Sequence, residues 1–240
     1  QNAGLPDFRY GLNISVQPFG FQFSEVQLPR SSARNAIRID AQHQQVEVFQ
    51  GKDWGIIPKQ DGTFLYQEFF KDGWNTEEDR NKLSFFHQAF SNETAIIVIP
   101  KDAELKKPIL VQLKIKESSF MPTILVMAGE HAKATISLSK SGGSEKHTYF
   151  SEEVRVLANP GSFITFVSLQ NLKDSVIQVQ RRKGIALRDA HIEWADACLG
   201  TSFTKADVST RLQGAGSSAN PTLLFIAHGN QRYAIYTESL

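Results

Sequence analysis

The stretch Leu157-Ala-Asn-Pro-Gly-Ser-Phe-Ile-Thr-Phe-Val-Ser-Leu169 joins a tight turn to a strand that alternates apolar and polar residues. Asn-Pro-Gly is a turn signal, and the alternation after it has the period of two expected of a β-strand with two different faces. We interpret this stretch as one copy of a structural repeat. The other copies are Ala128-Gly-Glu-His-Ala-Lys-Ala-Thr-Ile136, Leu187-Arg-Asp-Ala-His-Ile192 and Leu212-Gln-Gly-Ala-Gly-Ser-Ser-Ala219.

Each copy has a small residue at its turn. Ala132, Gly161, Ala190 and Ser217 follow one another at intervals of 29, 29 and 27 residues. Stacked strands lie about 4.8 Å apart, so a large side chain at a tight corner would clash with the next coil. The intervals therefore favour a β-solenoid with two or three strands in each coil, whose stacked coils bury a continuous core. A β-sandwich or jelly roll, which also has frequent short strands and turns, is the alternative.

The pattern changes on the N-terminal side of the repeat. From 108 to 240 the alternation dominates and no helical pattern interrupts it, which predicts a β-helix core that is truncated at its C-terminal end. Residues 1–107 are expected to form a small mixed α/β region. Its one helix is predicted near 76–90, where Thr76 can cap the N-terminus and acidic residues follow in the first turn. Leu83, Phe86 and Phe90 would form its apolar stripe.

Composition excludes several classes of protein. The formal net charge is +1, with 26 basic and 25 acidic residues, which gives no electrostatic case for binding nucleic acid or an anionic membrane surface. No apolar run approaches the roughly 20 residues that span a bilayer. The one cysteine cannot form an internal disulfide, which indicates a reducing compartment and predicts a cytoplasmic location. The first ten residues lack the features of a signal peptide, and we expect the chain to be a piece of a longer protein.

Cys198 is the candidate reactive residue. As a thiolate it would be able to ligate iron or to accept sulfur from a persulfide. Counting by twos places Trp194, Asp196 and Cys198 on one face of a strand. If that face points into the coil, Cys198 is a small buried residue of the core, and both interpretations stay open.

Other polar residues have simpler interpretations. The histidines are expected to be exposed residues of turns. The alternative is a metal ion at the equivalent corners that His131 and His191 flank. The run Arg181-Arg-Lys183 is expected to be a solvated loop, with phosphate or an acidic partner as the alternative. We find no phosphate-binding loop and no nucleophile elbow, so no catalytic residue is assigned.

Several phrases of the sequence resemble the SufB/SufD family of iron–sulfur cluster assembly proteins. The resemblance covers about 82–240, and its most specific part is a set of three phrases in order. These are Lys82-Leu-Ser-Phe-Phe-His-Gln-Ala-Phe90, Ala95-Ile-Ile-Val-Ile-Pro-Lys101 and Leu105-Lys-Lys-Pro-Ile109. Further along, similar phrases are 159–170, Leu169-Gln-Asn171, Leu187-Arg-Asp-Ala-His191 followed by Gly200, and 212–217.

The resemblance implies a right-handed parallel β-helix that acts as a scaffold and not as an enzyme. It implies an ABC-type ATPase partner of the SufC kind, a second subunit of the SufB/SufD kind in a homo- or heterodimer, and a transient iron–sulfur cluster. Cys198, Gln170 and Asn171 become candidates for handling sulfur or the cluster, while a metal site stays undefined. The matching motifs are turns and strand ends, so they bear on fold more than on activity.

One departure from the family pattern bears on the role. Near the end of the chain, Ala234 stands where the family has aspartate, and 230–240 contains no histidine. This favours a SufD-like or divergent member over a SufB-like one. Two other functions are weighed against the scaffold: a carbohydrate-active β-helix enzyme and a plain partner-binding β domain.

Overall fold

The computed structural model describes residues 36–41, 46–50, 69, 74, 82–91, 93–145 and 147–240. These residues form fourteen strands and one α-helix. In chain order the elements are β1 (Ala36–Asp40), β2 (Glu47–Gln50), α1 (Lys82–Phe90), β3 (Glu93–Ile99), β4 (Ile109–Ile115), β5 (Ser119–Phe120), β6 (Pro122–Ala128), β7 (Lys133–Gly142), β8 (Thr148–Ala158), β9 (Phe163–Leu172), β10 (Val176–Leu187), β11 (His191–Cys198), β12 (Phe203–Gln213), β13 (Ser218–Phe225) and β14 (Arg232–Ser239).

The strands form two sheets, and from β3 onward the chain passes back and forth between them. Sheet A has the order β1-β4-β7-β9-β11-β13, and sheet B has the order β14-β12-β10-β8-β6-β3-β2, with β5 beside β8. All of these neighbours are parallel, except that β1 and β2 pair antiparallel with β4 and β3. The chain is therefore a mainly β protein with a parallel β-solenoid of about five coils. This confirms the predicted fold class over the sandwich, whose sheets are antiparallel.

The two sheets enclose one apolar core but differ on their outer faces. Strand β4 alternates buried and exposed residues because the outside of sheet A meets solvent. Strands β8 and β10 are buried along almost their whole length because the outside of sheet B is covered as well. Helix α1 provides part of this cover. Its predicted stripe of Leu83, Phe86 and Phe90 is confirmed, since these side chains pack with Tyr149 and Ile177 of sheet B.

One corner of the solenoid has the same backbone geometry in five successive coils. At each corner the fourth residue of a β-turn donates its N–H to the carbonyl of the first, as Ala132 does to Gly129 and Ser162 does to Asn159. The third residue of each turn has a positive φ, which is the signature of a type II turn. These third residues are Asp102, His131, Gly161, Asp189 and Gly216.

The register of these corners corrects one member of the predicted row of small residues. Ala132, Ala190 and Ser217 each follow the left-handed residue directly, whereas in the coil between Ala132 and Ala190 that place belongs to Ser162. Gly161 is the left-handed residue itself, one position earlier. Ala132, Ser162 and Ala190 are at most 1 % exposed, which agrees with the need for small side chains where corners stack.

Replacing Gly161 with alanine is expected to destabilise the protein more than replacing Gly229 with alanine. Both glycines have a positive φ, +70° and +57°, so each alanine incurs the left-handed backbone penalty of about 1–2 kcal/mol. A Cβ at position 161 would also lie 2.4 Å from Nδ1 of His131, whereas one at position 229 meets nothing within 4 Å. Urea unfolding of both variants measures the difference. Equal losses would contradict the close stacking of this corner.

Two predictions about exposed polar residues are wrong. The run Arg181-Arg-Lys183 lies in the middle of β10 and not in a loop, with every member at most 3 % exposed. His87 is also buried, on the inner side of α1. These residues looked exposed because the local sequence is polar. Their partners are distant in the sequence, so local composition does not reveal them. The prediction of exposed histidines is confirmed for His131, His147 and His228.

Some predictions fall partly or wholly outside the described residues. Helix α1 is described from Lys82, so the predicted cap at Thr76 and the acidic first turn lie outside them. The division into 1–107 and 108–240 stays a prediction; parallel pairing already begins at Glu93, where β3 joins β6. Within the described ranges, no helix has both the length and the apolar character needed to cross a membrane.

Candidate functional site

A group of polar side chains points into the lumen of the solenoid, amid an otherwise apolar core. On β8, Glu152 lies between the core residues Phe150 and Val154 at a spacing of two, so it shares their inward face. The same count on β7, β10 and β11 places five more polar residues inside. We call these six residues, each at most 3 % exposed, the lumen cluster: Lys140, Glu152, Gln178, Gln180, Arg182 and Asp196.

Ion pairs connect the lumen cluster across the two sheets. Lys140 Nζ donates to Glu152 Oε1 at 2.6 Å and to Gln180 Oε1 at 2.7 Å. Arg182 Nη2 donates to the same oxygen of Glu152 at 2.7 Å and to Asp196 Oδ1 at 3.2 Å. Lys140 and Asp196 belong to sheet A, whereas the others belong to sheet B. Glu152 is therefore the shared acceptor that ties the two walls of the lumen together.

The charges of Glu152 and Arg182 are each stabilised by neighbouring opposite charges, which outweigh the desolvation cost of burial. Burial opposes the ionisation of Glu152, but the nearby charges of Arg182 and Lys140 outweigh it and hold the pKa of Glu152 below its usual range. Burial likewise acts against the charge of Arg182, and the carboxylates of Glu152 and Asp196 more than compensate and raise its pKa. The cluster thus stays charged inside the protein because each ion has its counterion within contact distance.

Cys198 faces the lumen beside this cluster, on the same strand face as Trp194 and Asp196. The strand register aligns Lys140 of β7 with Gln170 of β9, and Gln170 with Cys198 of β11. Cys198 is 1 % exposed. Burial raises the pKa of the thiol, although the positive charge of Lys140 acts in the opposite direction. The thiol is therefore protonated at neutral pH, which is the less nucleophilic form.

The structure brings two of the three predicted site residues together and separates the third from them. Gln170 lies next to Cys198 in the lumen, where its Oε1 accepts the N–H groups of Leu199 (2.7 Å) and Gly200 (3.0 Å). Its Nε2 donates to the carbonyl of Gly200 at 3.0 Å, so the side chain holds the corner that follows Cys198. Asn171 is exposed on the outer face of sheet A and does not join them.

A second buried polar group lies on the opposite face of sheet B, under α1. His87 approaches Ser151 Oγ with Nδ1 at 2.9 Å and Thr123 Oγ1 with Nε2 at 3.1 Å. Glu153 accepts from Arg155 Nε at 2.5 Å and from Arg181 Nε at 3.0 Å. We call these residues the outer cluster: His87, Thr123, Ser151, Glu153, Arg155 and Arg181. They attach the helix to the solenoid through polar contacts as well as apolar ones.

The outer cluster has two strongly shifted groups. Burial, reinforced by the positive charge of Arg181, lowers the pKa of His87 to about 3. The imidazole is therefore neutral at physiological pH and fits between two hydroxyl groups. Burial opposes the ionisation of Glu153, yet the charges of Arg155 and Arg181 outweigh it and lower the pKa of that carboxyl. The shift of His87 follows from burial under α1 beside Arg181, and that of Glu153 from its two arginine neighbours in sheet B.

The two histidines at equivalent corners do not form a metal site with their neighbours. The ring of His191 stacks on Phe163, with ring centroids 4.6 Å apart, and its Nδ1 lies 2.8 Å from Ser218 Oγ. His131 lies against Gly161 of the next coil. Among the residues that the structure describes, no group of three or more His, Cys, Asp and Glu is placed to hold a metal ion.

Sequence reasoning missed both polar clusters, although a signal for them exists. Glu152 and Arg182 are 30 residues apart, and Glu153 and Arg181 are 28 apart, which is one coil of the repeat. Opposite charges spaced by one coil are brought side by side in neighbouring strands of the same sheet. Combining the repeat length with the charge pattern would therefore have paired them.

The fold and its interior define the class: a parallel β-solenoid with a charged lumen. The family model that matches is "SUF system FeS cluster assembly, SufBD core domain", and it covers residues 111–239, from β4 to β14. The chain belongs to this SufBD family, which confirms the resemblance found in the sequence. The match favours cluster assembly over the alternative of a carbohydrate-active enzyme.

Curated relatives agree with this family. The iron–sulfur cluster assembly protein SufD of Bacillus subtilis is 24% identical over 75% of the chain and 43% of its own length. An iron–sulfur cluster assembly SufBD family protein of Staphylococcus saprophyticus is 21% identical over 87% of the chain and 48% of its own length. SufB of Bacillus subtilis is 18% identical over 81% of the chain and 44% of its own length. The chain thus spans about half the length of the curated relatives it matches.

Proposed function

We propose that this chain is part of a non-catalytic scaffold subunit, SufD-like in kind, of a Suf-type iron–sulfur cluster assembly complex. The observation that carries the proposal is the match of the SufBD core domain to residues 111–239, which are the solenoid itself. Similarity to a SufD, at 24% identity, exceeds that to a SufB, at 18%. Ala234 adds support, since it packs in the apolar cluster under α1 where the family resemblance expects an aspartate.

The proposed partners are those of a Suf-type complex in the cytoplasm. They are an ABC-type ATPase of the SufC kind and a second SufB- or SufD-like subunit, which would form a homo- or heterodimer with this one. The iron–sulfur cluster is the cargo of the complex and is bound transiently. A rigid parallel solenoid suits this role because its regular stack of coils offers a long, preorganised surface to partner chains.

Within the scaffold, Cys198 and Gln170 are the proposed residues for handling sulfur, and Asn171 on the outer face is the third candidate. Sulfur transfer to Cys198 requires its thiolate to attack the terminal sulfur of a donor persulfide, so that an S–S bond forms and the donor thiolate leaves. The raised pKa of the buried thiol means that a proton must first depart. Lys140 is the cation that favours this step from within the lumen.

Replacing Cys198 with alanine in the full-length protein is expected to abolish sulfur loading at this position without preventing complex formation. The change removes only the sulfur atom, so little core packing is lost and the complex should still form. The loading is measured by mass spectrometry of the peptide that contains residue 198, after incubation with a persulfide donor. Binding to the ATPase and to the second subunit is measured by size-exclusion chromatography.

The two measurements test the sulfur site and the scaffold role independently. An unlabelled Cys198 in a complex that still forms would remove the thiol from the proposal and leave the scaffold role intact. Failure of the unaltered full-length protein to bind either partner would contradict the scaffold role itself. Gln170→Met is the companion variant, because it removes the hydrogen bonds to Leu199 and Gly200 while leaving the thiol in place.

A further inference from the structure

Five buried polar atoms of the lumen cluster have no hydrogen-bond partner among the residues that the structure describes. Other atoms of the same side chains are paired, and these hydrogen bonds link the side chains of the cluster to one another. They comprise three acceptors and two donors: Glu152 Oε2, Gln178 Oε1, Asp196 Oδ2, Gln180 Nε2 and Arg182 Nε.

The orientation of the two glutamine amides is fixed by their neighbours. Lys140 Nζ can only donate, so the atom of Gln180 that it contacts at 2.7 Å must be the amide oxygen. That oxygen also lies 3.3 Å from Gln178, which must therefore present its nitrogen. Turning either amide over would set donor against donor or acceptor against acceptor. The free groups are therefore Gln180 Nε2 and Gln178 Oε1, as assigned.

Leaving these five atoms dry would be severely destabilising. A buried donor or acceptor without a partner loses the hydrogen bonds it makes to water in the unfolded chain and gains none in return. The effect grows with each such atom, and here all five belong to side chains at most 3 % exposed. A folded lumen of this composition therefore needs a small partner that bonds to several of them at once.

The charges and the mixture of free atoms define that partner. Lys140 and Arg182 balance Glu152 and Asp196, so the cluster has no excess formal charge that would call for an ion. An anion would meet three free acceptors, and a cation would meet two free donors. Only an uncharged species that both donates and accepts suits every free atom. Water meets this requirement and makes about 2–4 hydrogen bonds when buried.

We propose that the lumen of the solenoid binds a group of ordered water molecules between Glu152, Gln178, Gln180, Arg182 and Asp196. Since one water makes at most about four hydrogen bonds, at least two waters are needed for five atoms. The interior beside Cys198 is then a hydrated compartment and not a dry core. The inference rests on the geometry of the lumen and does not depend on the proposed function.

The direct test is a crystal structure of the protein at a resolution that shows ordered water. The expected result is water within hydrogen-bond distance of at least three of the five atoms. A dry lumen in well-defined density, or density that only a metal ion or an anion explains, would overturn the proposal. A crystal structure of the Gln178→Met variant is expected to lose one or more of these waters.

Urea unfolding of Gln178→Met provides a second test that does not depend on crystals. If the lumen is dry, the variant removes an unpaired oxygen together with the long bond from Gln178 Nε2 to Gln180 at 3.3 Å. Its midpoint should then rise or stay level, because methionine fills a similar volume without the penalty of the unpaired oxygen. If the lumen is hydrated, the variant breaks a satisfied network and its midpoint should fall. A midpoint that is unchanged or higher overturns the proposal, and a lower one supports it. Thr165→Val, on the outer face of β9, is the control for a polar-to-apolar change outside the lumen.

Discussion

Replacing Glu152 with leucine is expected to lower the free energy of unfolding by about 3–5 kcal/mol. Lys140 and Arg182 both donate to Glu152 Oε1, at 2.6 and 2.7 Å, and all three side chains are fully buried. Without the carboxylate, two cations remain in the interior and only Asp196, 3.2 Å from Arg182, is left to balance them. Urea unfolding followed by circular dichroism gives the change in free energy.

The control is an ion pair of the same kind on the surface. Glu130 pairs with Lys101 at 2.5 Å, but both side chains are about half exposed, so Glu130→Gln is expected to leave the urea midpoint nearly unchanged. A Glu152→Leu variant that loses no more stability than Glu130→Gln would show that the lumen charges are not paired as described.

Removing all the charges of the lumen together distinguishes pairing from simple loss of side chains. A buried ion pair exchanged for apolar residues of similar volume is often neutral, whereas a single unpaired charge is strongly unfavourable. The combined variant Lys140→Met, Glu152→Leu, Arg182→Met, Asp196→Leu is therefore expected to be more stable than Glu152→Leu alone. Additive losses would contradict this account of the cluster.

Stability is expected to fall as the pH is lowered from about 6.5 to about 3, in part because of His87. Burial and Arg181 lower the pKa of His87 from 6.5 to about 3 in the folded protein. In this window the unfolded chain binds a proton that the folded protein does not, so protonation favours unfolding. The contribution is at most about 1.4 kcal/mol for each pH unit, or roughly 4 kcal/mol over the window.

The variant His87→Gln isolates this contribution. Glutamine can still bond to the hydroxyls of Ser151 and Thr123 but does not titrate, so the wild-type protein should lose more stability than the variant as the pH falls. The measurement is the free energy of unfolding in urea at several pH values, compared between the two proteins. His147→Gln, which removes an exposed histidine, is the control. Parallel curves for wild type and His87→Gln would contradict a buried neutral imidazole.

The solenoid was predictable because its determinants are local and repeated. The alternation of β9 and the Asn-Pro-Gly turn before it fix an inward face and a corner, and the interval near 29 residues stacks one corner on the next. The error of one position at Gly161 arose because glycine satisfies two needs. It is small, as the stacked position requires, and it also tolerates the positive φ of the residue before that position.

The candidate site was only partly predictable because its pairs are formed between coils. Counting by twos placed Cys198 on one face with Trp194 but did not decide whether that face is inward. Arg182 looked like part of a solvated loop, although its side chain bonds to Glu152 in the neighbouring coil. A charged residue in a strand core is stable only with its counterion, and that counterion lies 30 residues away in the sequence. The burial of His87 could not be predicted for the same reason, because its partners belong to two strands of sheet B that are distant in the sequence.

Anaerobic cluster reconstitution tests the central claim most directly. The full-length protein is mixed with a SufB-like subunit, a SufC-like ATPase, iron and a sulfur donor, and visible absorbance of the iron–sulfur cluster is followed with and without the protein. We predict that the three-component complex assembles a cluster faster or in higher yield than the partners alone, and that the protein co-elutes with them. Equal assembly with and without the protein, together with no co-elution, would contradict the assignment of a Suf-type scaffold subunit.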